Sequence, residues 1–341
     1  MLKLKNLKLN VVEKLKIFAP ISLAIILIGI ILMIIPGMNV GLDFGGGAKV
    51  NVDFTSYLTI HEDAKSGLAD KVKEVITQEG FEIATGSERW LGENATELEL
   101  GLKYVLDGKQ VNATDDATQE AFRSKIEEEG GLLDKIVAAI NEYNAEVDLT
   151  KDNAKTQIVS GYTAQKLLEN AIVATIIAVI IMLIYIGFRF TFSSGIAAVI
   201  ALCHDVLIML ALTTIFRVQV NTTFIAAIIT IVGYSINATI VIFDKIRAIS
   251  KQSSMANATD TEIANKAIVS TLGRSIITTV TTLATIVVLA VVCSIMGVTS
   301  IEEFALPIVF GLLAGAYSSV LLSAPIWVML RKLGAKIKNR A

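Results

Sequence analysis

Residues 171–188 read AIVATIIAVIIMLIYIGF, 18 consecutive positions without a charge. At about 1.5 Å rise per residue this helix is about 27 Å long, close to the ~30 Å hydrocarbon core of a bilayer. A run of that length and polarity reads as a membrane span rather than a buried core helix. Carried out to its flanks it covers 167–188, and five similar runs accompany it at 17–36, 195–216, 223–243, 275–297 and 304–330. The 53% apolar and 18% charged fractions follow from these six runs and exclude an ordinary soluble domain. The first run is too long for a signal-peptide core and has no small-residue cleavage site after it, so it is expected to remain as a span, ended by Pro36-Gly37.

Lys and Arg near the span ends give the orientation. Lys3, Lys5, Lys8, Lys14 and Lys16 lie in the N-terminal segment 1–16. Arg189 follows the second span. Lys245, Arg247, Lys251, Lys266 and Arg274 lie in the loop 244–274, and Arg331, Lys332, Lys336, Lys338 and Arg340 in the tail 331–341. With six spans all of these fall on one side. The other side receives only Arg217 and Glu302-Glu303 in short turns, plus the segment 37–166, where acidic residues outnumber basic ones. The expected topology is a multi-pass inner or plasma membrane protein with both termini cytoplasmic and 37–166 extracytoplasmic.

That segment reads as an α+β domain. Lys49–Phe54 alternates through Val50, Val52 and Phe54, which predicts a strand. Leu68, Val72, Val75 and Ile76 at helical spacing predict a helix over 62–78, stopped by Gly80. A short strand is expected at 81–84, another at 96–106, helices over 114–144 with a break at Gly130-Gly131, and a last strand around Ile158-Val159. The β-α-β-β-α-β order is that of a ferredoxin-like unit.

Polar residues inside the spans are the candidate functional groups. His204-Asp205 lies mid-span, with Asp205 about 15 Å from either end at about 1.5 Å per residue. A carboxylate at that depth costs about 2.5–3.5 kcal/mol or more to insert, which points to function. Gly233 and Asn237 share a face of the fourth span, beside Tyr234, Ser235 and Thr239. Thr278, Thr281, Thr282 and Thr285 form a hydroxyl stripe on the fifth, with Arg274 one turn below. Asp205, Asn237, Arg274, Thr278 and Thr282 are expected to form one polar seam suited to carrying protons. Gly311, Gly315, Ser319 and Ser323 make a small-xxx-small ridge on the sixth span, a packing signal. No phosphate-binding glycine loop, nucleophile–base set or metal-spaced cluster is visible, so an enzyme, a cofactor and a bound metal are not expected. Cys203 and Cys293 lie inside apolar runs and read as small apolar residues.

Four motifs in order carry a family resemblance. They are Gly41-Leu42-Asp43-Phe44-Gly45-Gly46-Gly47, then Ala201-Leu202-Cys203-His204-Asp205-Val206. Residues 232–247, VGYSINATIVIFDKIR, and 272–279, LGRSIITT, follow. Together they resemble the SecF subunits of the Sec protein translocase, in the SecD/SecF family of the resistance-nodulation-division superfamily. Gly41, Asp43, Gly46, Gly47, His204, Gly233, Tyr234, Asp244 and Arg247 match that pattern. The resemblance implies pairing with SecD beside the SecYEG channel, to help draw exported polypeptide across the membrane with the proton-motive force. It implies membrane lipid as surroundings and no nucleic-acid partner. One departure bears on mechanism. The family's usual aspartate after the fourth-span asparagine is Ala238 here, which cannot titrate. Ala238 favours one alternative, a scaffold subunit whose SecD partner carries the protons; a small-molecule or lipid exporter subunit of the same superfamily is another.

Overall fold

The computed structural model describes residues 10–338 except 36, 85–86, 93, 107–108, 111–115 and 296–298. Lys3, Lys5, Lys8, Pro36, Gly86, Thr114, Met296, Gly297 and Arg340 lie outside the described residues.

In chain order the elements are α1 (Leu15–Ile34), α2 (Leu42–Gly45), β1 (Gly47–Asp53), α3 (Thr55–Leu58), α4 (Lys65–Gln78), β2 (Arg89–Leu91) and β3 (Glu97–Leu102). The small hairpin β4 (Val105–Leu106) and β5 (Lys109–Gln110) is followed by α5 (Asp116–Glu127), α6 (Leu132–Tyr143) and β6 (Ala154–Val159). Then come α7 (Gly161–Arg189), α8 (Phe192–Ile215), α9 (Thr222–Ser250), α10 (Asp260–Ile295), α11 (Thr299–Ser318) and α12 (Ala324–Lys338). A π-helical turn, Ser319–Ser323, joins the last two into one span. Six helical segments among the described residues are long and apolar enough to cross a membrane. The fold is that of a polytopic α-helical membrane protein with an α+β ferredoxin-like domain between its first and second spans.

The helices overrun the apolar stretches. α9 continues to Ser250 and α10 begins at Asp260, so most of the segment expected as a loop is helix. Ile246 and Ile249 on one side pack with Ile263, Ala267 and Ile268 on the other. This amphipathic stripe is stabilised by burial in the protein rather than by lipid. Within the bundle α8, α9 and the α11–α12 span are about half buried, while α1, α7 and α10 bury little.

The folded domain has the sheet order β2-β3-β1-β6 with all neighbours antiparallel. This is the ferredoxin-like arrangement. Ala48, Val50 and Val52 on β1 and Leu98, Leu100 and Leu102 on β3 face one way, against Leu68, Val72 and Ile76 of α4 and Phe122, Ile136 and Ile140 of the later helices. One expectation is corrected. The second strand is Arg89–Leu91, not 81–84, which makes only an isolated bridge between Ile83 and Leu102. Arg89, Trp90 and Leu91 are all half-buried, so the short edge strand carries no in–out alternation to read.

Two glycines fix how the domain leaves the bundle. Gly46 and Gly47 have φ of 69° and 146°, which side chains rarely adopt. A Cβ on Gly47 would stand 2.1 Å from the Leu102 carbonyl oxygen. The preceding linker is bonded to the α8–α9 turn. Val220 N–H donates to the Asn39 carbonyl at 2.8 Å, and Gly41 N–H to the Val220 carbonyl at 2.9 Å. Arg217 donates to the Gly37 carbonyl at 2.7 Å.

Candidate functional site: a carboxylate at a three-helix junction

Asp205 is fully buried on α8. The Ser235 hydroxyl from α9 and the Ser318 hydroxyl from the end of α11 both donate to its Oδ2, the latter at 2.7 Å. His204 Nδ1 lies 2.9 Å from Oδ1. Two helices besides its own thus supply donors to one carboxylate, the compensation that a charge-bearing group away from water requires. Gly315 is one turn before Ser318, and a Cβ there would meet Asp205 Oδ2 at 3.6 Å and the Ser235 Cβ at 3.5 Å. The small residue lets α11 approach α9 closely enough to reach the carboxylate.

His204 extends the site toward α1. Its ring stacks on Tyr317 at 5.9 Å, and the Tyr317 hydroxyl donates to the Phe18 carbonyl at 2.6 Å. His204 Nε2 is buried and has no hydrogen-bond partner among the described residues. The His204 residue borders a cavity of about 170 Å³ lined by Ser22, Ile25, Ile208, Leu313 and Ala314. The site therefore runs from Asp205 through an imidazole to a cavity between α1, α8 and α11.

The structure does not assemble the expected single seam. Asn237 is two residues past Ser235, about 200° round the helix, so it points away from Asp205 and is exposed on the outer face of the bundle. Its amide has no partner among the described residues. Thr278, Thr281, Thr282 and Thr285 each donate to a carbonyl one turn back on their own helix, at 2.9 Å. Tyr234 donates to Thr279 at 3.1 Å and ties α9 to α10. Gly233 is exposed, with nothing within 4 Å of where a Cβ would be. Arg274 is exposed and borders a cavity of about 360 Å³ with Asp244, so the carboxylate nearest its setting is Asp244 rather than Asp205. Ala238 lies on α9 between the Asn237 and Thr239 positions and is half-buried.

The other motif residues are structural joints. Asp43 Oδ2 accepts from the Thr222 hydroxyl at 2.8 Å and the Thr222 N–H at 3.3 Å, capping α9 from outside. Gly41, Gly46 and Gly47 shape the linker above. Asp244 pairs with Arg189 at 3.0 Å, joining α9 to the end of α7. Arg247 borders a cavity at the same end of the bundle.

Two groups escaped the sequence reading. Ser318 lies one residue off the ridge drawn through Ser319, and only the structure shows which hydroxyl meets the aspartate. Arg89 on β2 pairs with Glu303 at the head of α11 and donates to Gln219. Asn221 also donates to Glu303. These side chains, with Lys49, Glu99 and Asp43, border a cavity of about 190 Å³ between the folded domain and the bundle.

Fold and site together define a six-span transporter-like bundle with a buried carboxylate at its centre and one folded domain above it. The family model described as protein export membrane protein SecD/SecF, C-terminal, matches residues 139–333. The chain belongs to the SecD/SecF family of protein export membrane proteins. It is 30% identical over 332 residues to the protein translocase subunit SecF of Petrotoga mobilis, covering 97% of this chain and 99% of that one. It is 31% identical to the protein translocase subunit SecDF of Bacillus subtilis, covering 94% of this chain but only 38% of that one. The crystal structure of SecDF from Thermus thermophilus, described as a translocon-associated membrane protein, shares the fold with a TM-score of 0.71 at 22% identity. That match covers 97% of this chain and 40% of the SecDF chain, so the chain spans two fifths of its solved relative.

Proposed function

We propose that this chain is the SecF-type half of a two-part bundle, that a SecD-type chain is the other half, and that the pair assists export of polypeptide through the SecYEG channel using the proton-motive force. The observation that carries the pairing is the exposed amide of Asn237 midway along α9, without a partner among the described residues, together with the exposed Thr278, Thr281 and Thr285 of the neighbouring α10. Lipid offers an amide no hydrogen bonds, so a polar partner helix fits that face better than acyl chains do. The fused SecDF relative, which continues well beyond the matched portion, supports the same reading. The basic residues clustered at the end opposite the folded domain support cytoplasmic termini and an outer position for the domain.

Proton use rests on the Asp205–His204 pair, a buried carboxylate and imidazole leading to a cavity. A second reading has an observation of its own. Ala238 removes the family's usual carboxylate, and the ring of donors on Asp205 would serve equally to lock three helices together. In that reading the chain is a scaffold, and SecD carries the protons.

Site-directed crosslinking tests the pairing. With Cys203 and Cys293 replaced, Asn237→Cys and Thr281→Cys are expected to crosslink to a co-expressed SecD-type chain, and Ser56→Cys on the folded domain is not. Crosslinking absent at both bundle positions, with no co-purification, contradicts the pairing.

A further inference from the structure

At the end of the bundle away from the folded domain, the ends of α7 and α9, the starts of α8 and α10 and the first half of α12 enclose a cavity of about 330 Å³. Arg189, Arg247 and Arg331 border it, against a single carboxylate, Asp260. Two of the three guanidinium groups are already engaged. Arg331 pairs with Asp260 at 3.2 Å and lies 5.5 Å from the centre of the Trp327 ring. Arg189 pairs with Asp244, which stands outside the cavity wall. Arg247 is exposed and has no ion pair or hydrogen bond to its side chain among the described residues. The cavity thus carries a net positive charge and one guanidinium whose donors are free. Thr191, Ser194 and Ser250 add hydroxyls to the same wall.

A groove of different chemistry adjoins the cavity. Phe190 and Thr191 also border a second space, of about 390 Å³, between α7 and α8. Leu183, Ile186, Ile196, Val199 and Ile200 make its walls almost wholly apolar. On the same helix Ile180, Ile181 and Ile184 are exposed, an apolar surface that suits acyl chains. A cationic pocket at a bundle end, sharing Phe190 and Thr191 with an apolar groove between two membrane helices, matches a molecule with an anionic phosphate head and a hydrocarbon tail. A guanidinium fits a phosphate with two parallel hydrogen bonds, and basic pockets between helix ends are known headgroup sites. A free anion would have no use for the groove, and a zwitterionic lipid would place its ammonium against three arginines.

We propose that this chain binds one anionic phospholipid here, its phosphate on Arg247 between Arg189 and Arg331, and the start of an acyl chain in the α7–α8 groove. The lipid would tie α7, which packs little against the bundle, to α9 and α12.

The test uses the full-length chain, delipidated in detergent and offered phosphatidylglycerol, phosphatidylcholine of the same acyl chains, or inorganic phosphate. Native mass spectrometry and thermal unfolding are the readouts. Phosphatidylglycerol should remain bound and raise the unfolding temperature, while the other two should not. Arg247→Gln should lower phosphatidylglycerol affinity by about tenfold, the loss of one charge-assisted anchor. Gly187→Leu fills the groove from a position where a Cβ meets nothing within 4 Å, so it should fold and also weaken binding. Equal retention of phosphatidylcholine, or unchanged binding by both variants, overturns the proposal. Stabilisation by inorganic phosphate equal to that by phosphatidylglycerol identifies an ion site and overturns it too. Should Arg247→Gln fail to fold, the Gly187→Leu comparison decides alone.

Discussion

The Ser318 hydroxyl donates a 2.7 Å hydrogen bond to Asp205 Oδ2 across 113 residues of sequence, and Ser235 donates to the same oxygen from a third helix. Neither serine is exposed. Removing a donor from a buried acceptor leaves it partly unsatisfied, at about 1–3 kcal/mol. Ser318→Ala and Ser235→Ala should each lower stability by that amount, read as unfolding of the detergent-solubilised protein. Thr278→Ala, which loses only a bond to its own helix on the exposed face, should stay within ~0.5 kcal/mol of the parent. Equal effects at all three positions would remove the junction's special standing.

The glycines of α9 and α11 separate internal packing from partner contact. A Cβ on Gly311 would stand 2.5 Å from the Ile231 side chain, so Gly311→Leu overpacks the α9–α11 interface and should cost about 1–3 kcal/mol. Gly233 faces open space. Gly233→Leu should leave the isolated chain as stable as the parent yet reduce co-purification with a SecD-type chain. A Gly233→Leu variant that pairs normally would move the partner surface elsewhere.

Arg89 and Glu303 join the folded domain to the bundle. Their side chains are 13% and 14% exposed, so solvent screens the pair only partly. A double-mutant cycle with Arg89→Gln and Glu303→Gln should give a coupling energy of about 0.5–3 kcal/mol. Spin labels at Ser66 and Thr223 should show a broader distance distribution in either variant than in the parent. A narrow, unchanged distribution would mean that the linker hydrogen bonds alone hold the domain.

Length and hydropathy were enough to read the six spans, because the bilayer demands about 20 apolar residues of any helix that crosses it. The ferredoxin-like order was legible from the period-2 pattern of β1 and the period-3.6 pattern of α4. Arg89–Leu91 was not, because a three-residue edge strand with uniformly half-buried side chains carries no period. The ends of α9 and α10 were missed for a related reason. Hydropathy falls at Asp244 and Lys245, but the helix continues on protein contacts made by Ile246 and Ile249. At the site, Asp205 was legible from depth alone. Its partners were not, since Ser318 and Ser319 follow Gly315 by three and four residues, both positions fall on the same face of a helix, and spacing cannot choose between them. The seam of Asn237 and Thr278 with Asp205 failed on geometry. Ser235 and Asn237 are two residues apart, and a helix sends them in nearly opposite directions.

The central claim is that Asp205 links proton movement to export. Asp205→Asn keeps a carbonyl oxygen to accept from Ser235 and Ser318 but cannot exchange a proton. The direct measurement is export of a secreted protein by cells or vesicles carrying this variant, with and without an uncoupler. The account predicts an assembled complex whose export is slow and no longer responds to the uncoupler. Export at the parent's rate with the parent's response to the uncoupler would contradict it and leave the chain a scaffold.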